Sequence, residues 1–153
     1  MATATFDNLG PDAGELAFDA IDQAMEDAAP APAGFIPFAL VQSDDGSRTM
    51  LRFIDDDGTS PTVAGGVAVG RQALQSVDES TQCVALAWDG YLTYGEDRTE
   101  AVFVEGYELG RPAGVLLAQR YERRAGSLSR IGNPLLCEEP EPLVPRETPG
   151  VGR

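Results

Sequence analysis

Glu105, Tyr107, Gln119 and Tyr121 give this chain its best scope for chemistry: a carboxylate, an amide and two phenols on neighbouring apolar runs. If packing covers their sheet face, Glu105 needs a partner, and Gln119, Arg120 and Arg98 are the candidates. With the Tyr rings as anchors, the four form a candidate binding surface. The alternative is a strand end that reaches solvent, its Glu answered by a nearby Arg. Paired-carboxylate hydrolysis needs two acids at a set separation with pKa values driven apart, and no spacing in the chain demonstrates that.

The rest of the inventory excludes more than it offers. The chain has no His and no Lys; its eleven cations are all Arg. Serine and cysteine triads, imidazole metal sites, Schiff bases and a Walker lysine are therefore ruled out. The run DDDGTSP places three acids side by side, whereas calcium loops alternate their oxygen ligands, so it reads as a solvated turn. Gly65, Gly66 and Gly70 lack the spacing and the Lys-Ser/Thr of a phosphate loop. Cys83 and Cys137 are too few for a disulfide framework; Cys83 reads as a small core residue. No catalytic residue, metal or cofactor is expected, and the balance leans away from an enzyme.

These residues need a scaffold, and the hydrophobic pattern supplies one. Residues 11–29 repeat apolar positions (Leu16, Ala20, Ile21, Ala24, Met25, Ala28) on one helical face, with Asp12 as cap and Glu15 three residues on. Two strands follow, 35–42 and 48–55, around an Asp-Gly turn. Ser60-Pro61 opens a second helix reaching residue 80, with Val67, Arg71, Leu74 and Val77 on its stripe. Three strand-like runs joined by Gly-containing turns fill 82–124.

A register drawn from the two hairpin tips puts Val84, Leu86, Trp88, Val102, Val104, Leu116 and Ala118 on a core face. The other face collects Cys83, Ala85, Ala87, Asp89, Ala101, Phe103, Glu105, Tyr107, Val115, Leu117, Gln119 and Tyr121, with Glu105 opposite Gln119. Residues 125–136 add a short turn of helix or a packed arm. The Pro- and Glu-rich end has little to bury. The expectation is one α+β domain over residues 1–130, with a mainly antiparallel sheet of about five strands in the order α-β-β-α-β-β-β, and a tail over 131–153.

The net charge is −14, and residues 1–60 hold twelve acids against two Arg. Nucleic acid and anionic membranes are poor partners for such a surface. No apolar run reaches the roughly 18–20 residues a membrane span requires, and residues 1–12 lack the pattern of a signal peptide, so a cytoplasmic protein is expected. The acidity reads either as composition bias that aids solubility or as a docking surface for a protein partner.

The motifs D-G-Y at 89–91, R-T-E-A-V-F-V-E at 98–105 and A-Q-R-Y at 118–121 resemble a family of small uncharacterised bacterial proteins; that resemblance implies no activity. The element order is similar to Roadblock and profilin-like proteins. It implies a five-stranded antiparallel sheet with helices on its faces, in a module that dimerises or binds regulatory partners. The leading expectation is a non-enzymatic protein-interaction module, acting as a homodimer or on a protein partner. The second is a small-molecule-binding or hydrolytic protein using Glu105 and the neighbouring Tyr residues. An enclosed pocket around Glu105 favours the second, a flat exposed face the first.

Overall fold

The computed structural model describes residues 9–32, 34–53, 63–125, 127–141 and 143–144. Residues 1–8, the DDDGTSP turn, the Ser60-Pro61 helix start and residues 145–153 of the tail lie outside the described residues. Among the described residues two helices and six strands form an α+β fold: α1 (Pro11–Ala28), β1 (Phe38–Ser43), β2 (Arg48–Arg52), α2 (Val63–Leu74), β3 (Thr81–Tyr94), β4 (Asp97–Glu108), β5 (Val115–Arg124) and β6 (Ser127–Glu138). All pairings are antiparallel, in one sheet of order β2-β1-β3-β4-β5-β6.

The sixth strand departs from expectation. The chain turns at Ala125, whose φ is +47°, and runs back along β5 as far as Glu138, well into the stretch expected as tail. Gly132-Asn133-Pro134 hid it, because Gly and Pro read as breakers. The structure places these three residues in a bulge on an edge strand, where a proline costs no ladder bond. Opposite them stands Gln119, whose Nε2 donates to the carbonyls of Gly132 (3.1 Å) and Arg120 (3.0 Å). The side-chain amide thus replaces the backbone donors that the bulge removes.

Helix α1 lies across β3 and β4 and buries Ala13, Leu16, Ala17, Ala20, Ile21, Ala24, Met25 and Ala28. Five of these eight are Ala, so the helix sits close to the sheet over Cys83, Ala85, Ala87, Val102, Val104, Val115 and Leu117. Asp12 does not cap it. Gly10 is the N-cap and Pro11 the first helical residue; Asp12 instead accepts a bond from Gln82 Nε2 at 3.1 Å. At the other end Arg123 donates to the carbonyls of Ala28 and Ala29 at 3.1 and 2.8 Å, placing a cation where the helix dipole is negative.

The opposite face is covered less completely. Helix α2 ends at Leu74 rather than near residue 80, because Asp78 forms a turn that accepts the Ser80 N–H at 2.7 Å. A Cβ at Gly66 would stand 2.7 Å from the Phe53 carbonyl oxygen and 2.9 Å from the Pro37 ring, so a glycine there lets the helix pack closely on Pro37 and Phe53. Under it lie Ala39, Phe53, Val84, Leu86 and Tyr107, with Leu143 and Val144 closing one end.

Candidate functional site

The β3–β4 hairpin decides where each candidate points. Tyr94 pairs with Asp97, leaving Gly95-Glu96 as a two-residue tip with Gly95 at φ +65°. This sets Leu86 opposite Glu105 and Trp88 opposite Phe103, and Glu105 then faces Leu116 on β5. The expected register was off by one residue at the tip and by three across the next turn, and an odd slip turns β4 over. Val102 and Val104 belong to the α1 face; Phe103, Glu105 and Tyr107 join Val84, Leu86, Trp88, Leu116 and Ala118 beneath α2. The four sequence candidates are therefore divided, Glu105 and Tyr107 on one side and Gln119 and Tyr121 on the other. Gln119 is opposite Val102, not Glu105.

Three of the four have structural occupations. Tyr107, 2 % exposed, donates its hydroxyl to the Arg111 carbonyl at 2.7 Å. Tyr121, 1 % exposed, donates to Asp89 Oδ1 at 2.8 Å and lies 3.4 Å from Glu100 Oε1. Burial raises the Asp89 pKa, against the Tyr121 bond that lowers it; burial and Asp89 push the Tyr121 phenol far above its ordinary range. Gln119 fills the β6 bulge. Neither Tyr ring is a surface anchor. Cys83 is buried on the α1 face, its thiol pushed up to about 11 chiefly by that burial.

Glu105 is different. It is buried, yet its partner comes from solvent: Arg71 on α2 places Nη1 2.6 Å from Oε1. The carboxylate side chain is 2 % exposed and the guanidinium side chain 44 %. Burial raises the Glu105 pKa, Arg71 opposes that shift, and the charge of Glu138 adds to it. Arg71 also lies over the Trp88 ring, 5.6 Å from its centre, and Trp88 stacks on Phe103 with centroids 5.7 Å apart. Beside the pair opens a cavity of about 310 Å³ lined by Arg71, Gln75, Glu105, Pro140, Glu141 and Leu143.

Arg71, rather than Gln119, Arg120 or Arg98, is the partner of Glu105. The signal was present: a cation on the inward stripe with Val67 and Leu74 needs an acid beneath it. Arg98 and Arg120 instead lie over the rings of Tyr91 and Tyr94, at 4.7 and 4.8 Å. Among the described residues, no group of three His, Cys, Asp or Glu is placed to hold a metal, and no helix is long and apolar enough to cross a membrane. Comparison with known proteins gives no match: no family model fits the chain, and no curated protein or solved structure is significantly similar.

Proposed function

We propose that the protein is a non-enzymatic interaction module whose acidic surface binds a basic protein partner. The disposition of the arginines carries this reading. Seven of the nine described arginines pair with carboxylates of the chain, and Arg98 and Arg120 lie over tyrosine rings. Three come from the sheet edges to α1: Arg48 to Asp19, Arg52 to Asp27 and Arg130 to Asp22. Glu15, Glu26, Asp44, Glu79 and Glu96 are exposed and have no arginine within salt-bridge distance among the described residues. The surface thus offers carboxylates and holds its cations back, which favours a basic partner and steers its approach. A homodimer, the other version of this reading, has less support, since two copies of net charge −14 repel.

The cavity at Glu105 favours a second reading, a small basic molecule held in that cleft. Hydrolysis has less behind it, because the buried carboxylate is already engaged by Arg71. Binding to an immobilised Arg-rich peptide, followed from low to physiological salt, tests the main reading. Association that weakens steeply over this range is the expected result. Affinity that ignores salt, or self-association that strengthens with it, overturns the reading.

A further inference from the structure

A buried carboxylate whose cation arrives from outside is an ion pair that can be exchanged. Removing Arg71 from Glu105 breaks no strand pairing, and its side chain is already almost half exposed. The Trp88 ring face beside the pair is a second contact open to any guanidinium that takes the place of Arg71. We propose that the cleft receives a guanidinium group, carried by an arginine of a basic protein partner, which displaces Arg71 and takes over the ion pair with Glu105. This rests on the acidic-surface reading above and names what that surface selects.

The chemistry of the lining decides the ligand's sign. Glu105 needs one cation at all times, because a buried carboxylate without a partner is strongly disfavoured. Glu141 lines the same cavity, and the charge of Glu138 is felt at Glu105. A second guanidinium beside Arg71 balances the two lining carboxylates, Glu105 and Glu141; an anion entering would meet both of them and one guanidinium. Size agrees, as about 310 Å³ is near the lower end of the roughly 300–1,000 Å³ typical of ligand sites, enough for one head group and its stem. Arginine is preferred to lysine because its planar, weakly hydrated fork suits a buried carboxylate beside an aromatic face. Arg71 acts in this scheme as a tethered competitor, lowering apparent affinity by the fraction of time the cleft is closed.

Trp88 is the only tryptophan of the chain and reports directly on Arg71. The experiment follows its fluorescence as N-acetylargininamide, a capped Gly-Arg-Gly peptide or their lysine counterparts are added to wild type, Arg71→Met and Glu105→Gln. Wild type should respond to the arginine probes in preference to lysine. Arg71→Met should bind them about tenfold more tightly if the tether holds the cleft closed nine-tenths of the time, and Glu105→Gln should lose binding. A peptide that binds more tightly than the amide identifies a protein source; equal affinities identify a free small molecule and overturn the partner assignment. Weaker binding to Arg71→Met overturns displacement, since Arg71 would then hold the ligand itself. Should Arg71→Met fail to fold, Arg71→Gln takes its place as the test of displacement, and the comparison of wild type with Glu105→Gln still tests the cleft. If Arg-rich peptide binding survives Glu105→Gln, the cleft is excluded while the acidic surface stands. Absence of binding to every cationic probe removes both.

Discussion

Each face of the sheet buries a carboxylate, and the two are neutralised in opposite ways. On the α1 face Asp89 accepts a bond from Tyr121, a neutral donor on a central strand, itself sealed beneath an Ala-rich helix. On the α2 face Glu105 relies on Arg71, a charged donor at the end of a long side chain on a short, Gly-containing helix. A donor fixed in the sheet makes its carboxylate a structural element. One that reaches in from solvent makes its carboxylate a site that can change partners. The difference follows from the helices: α1 spans eighteen residues and closes its face, whereas α2 spans twelve and leaves a cleft at one end.

Core truncation should separate the faces most strongly. Ile21→Ala removes a fully buried side chain beneath α1 and should cost about 2–5 kcal/mol of unfolding free energy. Val67→Ala on the half-buried stripe of α2 should cost about 1 kcal/mol. Denaturant titration gives both values, and equal losses would mean that the two faces are equally sealed. The phenols come next. Tyr121→Phe takes a donor from a buried carboxylate and should cost about 1.5–3 kcal/mol, while Tyr107→Phe, which serves a neutral carbonyl, should cost about 0.5–1.5 kcal/mol.

Glycine to alanine should change sign between the helices. Gly66→Ala drives a methyl into the Phe53 carbonyl and should destabilise by about 1–3 kcal/mol. A Cβ at Gly14 meets nothing within 4 Å, so Gly14→Ala should stabilise α1 by about 0.5–1 kcal/mol. Thermal unfolding of the two variants checks the pair; a shared sign would count against the close approach of α2.

The pH profile carries the smallest effect. The folded-state pKa of Glu105 is raised above its ordinary value of 4.5, so the folded protein holds that proton more tightly than the unfolded chain. Its contribution to stability is full below that value and declines as pH rises through the folded pKa. As pH rises from the ordinary value of 4.5 through the raised folded pKa, the melting temperature of wild type should therefore fall further than that of Glu105→Gln. Parallel profiles would show that Glu105 titrates as an exposed acid does.

The fold was largely legible in the sequence because helical and strand periodicities are local. Helix α1 emerged from the spacing of Leu16, Ala20, Ile21 and Ala24, and the first five strands from their apolar runs. What escaped depended on single residues acting at a distance. One residue at the Gly95-Glu96 tip decides which face receives Glu105, and a pattern of mixed apolar and polar positions on both faces of β4 gives no warning of the choice. β6 escaped because the donor that makes its bulge tolerable is a side chain on another strand, Gln119. The candidate site was half legible. Glu105 stood out, but Gln119, Tyr107 and Tyr121 belong to the framework. Arg71 was visible as an oddity on a helical stripe and gained its meaning from the register alone.

Arg123 adds a matter of timing. Its guanidinium closes the end of α1 from 94 residues further along the chain. At synthesis rates of roughly 5–20 residues per second, the carbonyls of Ala28 and Ala29 wait about 5–20 s for this partner. Helix α1 is thus finished by the fifth strand, and a nascent chain stopped short of Arg123 carries an open helix end until translation resumes.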